Sequence, residues 1–95
     1  MTAPYIGLGF PFTAFFVFDP QNRLVYVDLE PRDPAACPQI LFALGNTYGV
    51  PDVRGSFELR KWLNKDTANA IVYSEIGSCR VRYMGLNQPN ANGGL

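Results

Sequence analysis

The sequence predicts a small α+β domain that is rich in β-structure, with two antiparallel hairpins and one short helix. Ninety-five residues are enough for one domain. Apolar residues make up 47% of the chain and aromatic residues 14%, and they gather in short runs separated by Pro, Gly, Asn and Asp. We therefore expect a single domain over residues 12–86, with an extended, flexible arm over 1–11 and a flexible tail over 87–95.

The first third of the chain predicts the arm and the first hairpin. Residues that interrupt regular structure recur at the start, at Pro4, Gly7, Gly9 and Pro11. The β-branched and aromatic run Phe12–Phe18 predicts a strand, and residues 23–29 predict its partner. The Asp-Pro-Gln-Asn segment between them is typical of a turn, because proline presets φ and Asp and Asn cap turns.

The middle of the chain predicts a short helix over Pro38–Leu44. Proline suits the first helical turn, where its missing N–H has no partner to lose. Ile40, Leu41 and Leu44 fall on one face at helical spacing, and Gly45 suits the left-handed position that ends a helix. Gly49 and Gly55, in the irregular segment that follows, are expected to serve the backbone conformation.

In the last third, residues 57–63 predict either a weak strand or a single turn. Residues 70–74 and 79–84 predict the strands of the second hairpin. On its second strand, Cys79, Val81 and Tyr83 share one face. Arg80 and Arg82 share the other face. We expect Arg60 and Lys61 to face solvent or to contact a neighbouring chain.

The composition argues against catalysis and against a metal or other cofactor. The chain has no histidine, which is the commonest general base and metal ligand. Asp28 and Glu30 share a strand face, but exposed strand carboxylates are far commoner than catalytic pairs. Cys37 and Cys79 are too far apart for a metal motif. They can pair if the fold brings them together; otherwise each is a buried free thiol, which is the interpretation that we favour.

The charges favour protein contacts over nucleic acid. The net charge is zero, with five acidic and two basic side chains in residues 1–53 and three acidic and six basic in residues 54–95. The two parts complement each other, within one subunit or between copies. Basic and aromatic side chains of the second part form a candidate contact surface: Arg60, Lys61, Trp62, Arg80 and Arg82. The sequence shows neither a signal peptide nor a stretch that could insert into a membrane, so we expect synthesis in a cytoplasm.

One segment carries a family resemblance. The sequence LFALGNTYG over 41–49 is followed at once by VPDVRGSF over 50–57. This order resembles the tail collar domain of bacteriophage tail fibres and short tail fibres, in which a helix ends in Tyr-Gly and a Pro-Asp-x-Arg-Gly turn follows. The resemblance covers about residues 23–62. Its motif positions are Asp28, Gly45, Tyr48, Gly49, Pro51, Asp52, Arg54, Gly55 and Phe57.

The resemblance implies a structural and attachment protein of a phage tail, fibre or baseplate, located in the virion. It implies trimers, other tail proteins as partners, and a host-surface glycan as a further partner. It also implies that Arg54 pairs with a carboxylate, for which Asp28 and Asp52 are candidates. Two alternatives stay open: a small phage or bacterial regulator that binds a host protein, and a carbohydrate-binding adhesin module that uses Trp62 and the tyrosines.

Overall fold

Seven antiparallel strands form one sheet in the computed structural model, and one helix packs on one face of that sheet. The structure describes residues 1–64 and 68–85. The strands are β1 (Thr2–Gly7), β2 (Phe10–Phe18), β3 (Leu24–Pro31), β4 (Val53–Gly55), β5 (Leu59–Asn64), β6 (Asn69–Ile76) and β7 (Ser78–Gly85). Their order across the sheet is β1-β2-β3-β7-β6-β5-β4. Helix α1 (Cys37–Tyr48) follows a 3-10 turn (Pro34–Ala36) in the connection between β3 and β4.

The architecture is mostly sheet and lies closer to an all-β fold than to the α+β class that we predicted. Both predicted hairpins are confirmed, as β2–β3 and β6–β7. The sheet is larger than two hairpins because β3 pairs with β7 and because β1, β4 and β5 extend it at both sides. The predicted tail over 87–95 lies outside the described residues.

The prediction of a flexible arm over 1–11 is wrong. Residues 2–7 form β1, which pairs with β2 from Thr2 opposite Phe15 to Gly7 opposite Phe10. The N–H of Phe16 donates to the C=O of Met1 at 2.9 Å, so the alternation of the antiparallel ladder turns the nitrogen of Pro4 away from β2. A proline at an outward-facing edge position removes no ladder hydrogen bond, and it discourages another strand from pairing there.

Helix α1 runs one turn further than predicted. Gly45 lies inside the helix, and the left-handed residue is Gly49, with φ of 84°. The N–H of Gly49 donates to the C=O of Gly45 at 2.8 Å and closes the last turn. A glycine inside a helix costs about 1 kcal/mol relative to alanine, and buried contacts on both sides of it offset that cost. Ile40 and Leu44 are almost fully buried before it, and Tyr48 contacts Trp62 after it.

The core lies between α1 and the middle of the sheet. Alternate residues of the strands face the helix, and the largest buried ones are Phe12, Trp62, Ile71, Tyr73 and Val81. The hydroxyl of Tyr73 donates to the Glu75 carboxylate at 2.6 Å and lies 3.3 Å from the C=O of Cys37. Burial, and then the hydrogen bond to Glu75, raises the pKa of Tyr73. This buried hydroxyl therefore has a partner and stays protonated.

A disulfide joins Cys37 to Cys79, so the expectation of two free thiols is wrong. Cys37 is the first residue of α1, and Cys79 is the second residue of β7 on the face that the helix covers. Their Cα atoms are 5.9 Å apart, although 42 positions separate them in the sequence. The bond ties the start of the helix to the centre of the sheet. Within the described part of the chain, no helix has both the length and the apolar character needed to cross a bilayer.

Candidate functional site

The sheet carries a distinct group of side chains on each face. The face away from α1 carries alternating charges, which we call the charge ladder: Glu30, Arg80, Asp28 and Arg82, with the ring of Tyr26 at one end. The face that α1 partly covers carries an apolar groove beyond the helix. The strand connection between β4 and β5 adds a third feature, a strained turn.

The charge ladder joins β3 to β7 through a two-point ion pair. Arg82 donates to the two carboxylate oxygens of Asp28 at 2.7 and 3.0 Å, and its guanidinium lies 3.9 Å from the ring centroid of Tyr26. Arg80 contacts Glu30 at 2.8 Å and Asp28 at 3.8 Å. The hydrogen bond to Asp28 raises the pKa of Arg82. Asp28 is the one charged residue among the described positions that is buried, so this pair secures the centre of the sheet.

The predicted pairing of Arg54 with Asp28 or Asp52 is wrong. Asp28 binds Arg82, as described above. The Asp52 carboxylate accepts the N–H of Leu63 at 2.7 Å, while its own N–H donates to the C=O of Lys61 at 2.8 Å. Asp52 thus extends the pairing with β5 just before β4 begins. Arg54 is exposed in the short edge strand β4.

The other motif positions lie around the passage from α1 into the β4–β5 hairpin. The C=O of Gly49 accepts the indole N–H of Trp62 at 2.9 Å, which fixes the end of the helix on β5. Gly55 does not have the positive φ of Gly49; instead, a Cβ atom there would lie 3.0 Å from a methyl carbon of Leu59. Pro51 precedes Asp52 in this passage, and Phe57 lies in the turn of the hairpin.

The predicted contact surface does not exist as one patch. Trp62 is buried, and its indole N–H donates to the C=O of Gly49. Arg60, on β5, forms an ion pair at 3.1 Å with Glu58 in the preceding turn. Lys61 on β5 pairs with Val72 on β6, and Val72 pairs with Arg82 on β7. Lys61 is therefore on the same face of the sheet as the charge ladder, but two strands away from Arg82. Arg80 and Arg82 belong to the ladder itself.

The groove lies beside the C-terminal end of α1, where the helix leaves the sheet uncovered. It has a volume of about 330 Å³ and no charged side chain in its lining. We call it the tyrosine groove. Four strands and the helix supply the residues that line it: Tyr5, Ala14, Phe16, Val27, Leu29, Tyr48 and Tyr83. A smaller cavity of about 140 Å³ continues from it between α1 and the sheet.

Three tyrosines form the rim of this groove and remain 50%, 38% and 41% exposed for Tyr5, Tyr48 and Tyr83. Burial raises the pKa of Tyr48, and the neighbouring Tyr83 and Tyr5 add to the effect. The Tyr48 hydroxyl is therefore a neutral donor and acceptor at pH 7. The groove offers apolar surface with a few hydrogen-bonding groups at the rim, which is the usual character of a binding site.

The strained turn is Phe57-Glu58, which connects β4 to β5. Both residues are left-handed, with φ of 58° and 55°, whereas Gly or Asn normally fills such positions. Each such residue costs about 1–2 kcal/mol. The N–H of Glu75 donates to the C=O of Phe57 at 2.8 Å and holds the turn against β6. The side chain of Phe57 is 67% exposed, so the strain is kept at a position where an aromatic ring faces solvent.

Sequence patterns missed the tyrosine groove because its rim comes from three distant segments. Strand alternation places Phe16 with Ala14, and Val27 with Leu29. Nothing in the sequence relates these four residues to Tyr5 on β1 or to Tyr48 at the end of the helix. Across residues 1–64 and 68–85, no three Cys, Asp or Glu side chains converge as metal ligands.

Comparisons with known proteins found no similar chain. No protein-family model, no curated protein and no solved structure matches this sequence or its fold.

Proposed function

We propose that this protein is a structural attachment module that works by binding other proteins, as a component of a phage tail, fibre or baseplate. The observation that carries the proposal is the tyrosine groove, an uncharged concave surface that helix α1 leaves open over the sheet. The partners are further copies of the chain and neighbouring tail proteins. The module acts in the virion and performs no catalysis.

The composition of the groove supports protein binding. Tyrosine is enriched at protein interfaces because it brings a large apolar ring and a hydroxyl with little loss of conformational entropy. Residues that dominate binding energy lie in pockets where water is excluded. The groove combines three tyrosines at its rim with Phe16, Val27 and Leu29 in its floor, so a partner's apolar side chain would be buried there.

The location in a phage tail rests on the resemblance of residues 41–57 to tail collar domains. Tyr48 ends the helix and Gly49 turns the chain with a positive φ. Pro51 and Asp52 then lead into the β4–β5 hairpin. This arrangement is compatible with the order of helix, Tyr-Gly and Pro-Asp-x-Arg-Gly in the family, and it supports the proposal at this passage only.

Sedimentation velocity over a concentration series tests the assembly part. We expect association at micromolar concentration, because exposed large apolar side chains accompany the groove. They include Met1, Ile6, Phe42, Val50, Phe57 and Ile76. A compact monomer at every concentration up to about 1 mM would overturn this part. Antibody labelling of purified phage particles tests the location, with label on the tail expected and unlabelled particles contradicting it.

A host-surface glycan is a second proposed ligand, and the three tyrosines favour it because aromatic rings stack on the apolar faces of sugars. The earlier expectation that Trp62 takes part is wrong, since Trp62 is 4% exposed. Titration calorimetry with cell-surface polysaccharide fragments tests this proposal on the native protein and on Tyr83→Ala. Equal heats for both proteins, or none with the native protein, would exclude the groove as a glycan site.

A further inference from the structure

We propose that Phe57 of one copy inserts into the tyrosine groove of the next copy, so that the chain assembles head to tail. This inference rests on the proposed assembly function and names its contact. The contact joins two different surfaces of the chain: the strained turn between β4 and β5, and the groove between β1, β2, β3, β7 and the end of α1.

Phe57 has the properties of an inserted side chain. It is 67% exposed on a backbone that an L-residue with a large side chain rarely adopts. The strain is maintained by the hydrogen bond from Glu75 to the C=O of Phe57. Strained positions that survive in a fold cluster at binding and switch sites, and this one presents an aromatic ring at the edge of the molecule.

The groove matches a phenyl ring in character. No charge lines it, so an apolar ring enters without displacing an ionic partner. The rings of Tyr5, Tyr48 and Tyr83 stand at the rim, where edge-to-face contacts with a phenyl ring are favourable. The volume of about 330 Å³ accommodates one aromatic side chain together with neighbouring atoms of its turn.

Phe57 cannot reach the groove of its own copy. It lies level with Glu75 near the β6–β7 turn, whereas Tyr83 pairs with Ile71 near the opposite end of these strands. Four residues along a strand and two strand spacings separate Phe57 from Tyr83, which is about 16 Å. The floor of the groove lies still further away, on β2 and β3. The occupant therefore has to be the turn of a second copy.

The charges of the chain do not oppose this contact between copies. The groove lining carries no charged side chain. The β4–β5 hairpin around Phe57 carries Arg54, Arg60 and Lys61 against Glu58, and Arg60 is paired with Glu58. No like charges are therefore brought together when Phe57 meets the lining of the groove.

A single contact between two different surfaces leaves a dimer with one free turn and one free groove. These remaining surfaces are filled when the contacts close into a ring. The smallest closed ring is a two-fold dimer in which each copy inserts its turn into the groove of the other. Both edges of the sheet argue against the alternative of continuous strand pairing, since β1 has Pro4 at its edge and β4 is three residues long.

The test uses two variants that each lose one half of the contact. Phe57→Asn removes the ring, and Asn tolerates the left-handed backbone, so the fold is kept. Val27→Glu places a charge in the groove and leaves Phe57 unchanged. If the Val27→Glu variant does not fold, Tyr83→Glu is used in its place. Phe42→Asn is the matched control, because Phe42 is 71% exposed on α1 and lies outside both surfaces.

Sedimentation velocity is run on each variant alone and on a 1:1 mixture of the two. We expect each variant to associate at least tenfold more weakly than the wild type, the mixture to form a dimer, and the Phe42→Asn control to assemble as the wild type does. The inference is overturned if Phe57→Asn associates as strongly as the wild type, or if both variants fold and their mixture stays monomeric. The proposed assembly function stands in either case. A wild-type chain that stays monomeric overturns both.

Discussion

Removing the disulfide between Cys37 and Cys79 should destabilise the protein by about 4 kcal/mol. The bond closes a loop with a sequence separation of 42, and the loss of loop-closure entropy in the unfolded chain for that length is about 13 cal/mol/K, or about 4 kcal/mol at 25 °C. A typical domain of this size has a stability of about 5–15 kcal/mol. The disulfide is therefore expected to supply a large fraction of the total.

The assay is urea denaturation of the native protein and of a Cys37→Ala/Cys79→Ala variant, followed by the fluorescence of the buried Trp62. With a slope of about 1.5 kcal/mol per M, the midpoint should fall by about 2.5 M. Reducing agent should lower the midpoint of the native protein and leave that of the variant unchanged. A difference below about 1 kcal/mol between the two proteins would show that the reasoning from loop closure is wrong.

Two further predictions concern the helix end and the charge ladder. Gly49→Ala should lower the free energy of unfolding by about 1–3 kcal/mol because φ is 84° there, whereas Gly45→Ala, inside α1 with open space at its Cβ position, should raise it by about 1 kcal/mol. Equal effects in urea denaturation would show that Gly49 is not conformationally required. Arg82→Ala should cost about 2 kcal/mol because it leaves the buried Asp28 with the more distant Arg80 alone, while Arg54→Ala should stay within about 0.5 kcal/mol. The same assay decides this, and a loss at Arg54 that equals the loss at Arg82 would contradict the assignment.

Local patterns predicted the elements that local chemistry determines. The runs of β-branched and aromatic residues gave the β2–β3 and β6–β7 hairpins, since each run ends in turn residues that act within a few positions. The pattern failed for β1, because Pro4 disrupts a strand only when its nitrogen faces a neighbour, and that depends on pairing with β2. It also failed at Gly45, where the helix continues because packing on both sides outweighs the propensity of one glycine.

Contacts between distant segments could not be predicted from the sequence. Asp28 and Arg82 are 54 positions apart and meet only because β3 pairs with β7. The same pairing brings Cys79 under the start of α1, where it reaches Cys37. The tyrosine groove depends on β1, β7 and the helix end together. Each of these features follows from the strand order, which no local pattern encodes.

Tyrosine accessibility as a function of protein concentration tests most directly the claim that the tyrosine groove is a protein-binding surface. Chemical nitration followed by mass spectrometry reports each tyrosine separately. Tyr5 and Tyr83 should become protected over the concentration range in which the protein associates, because both stand at the rim of the groove. Tyr26, on the opposite face beside Arg82, should keep a constant rate and serves as the internal control. Unchanged rates at Tyr5 and Tyr83 in the associated protein, or protection confined to Tyr26, would contradict the claim.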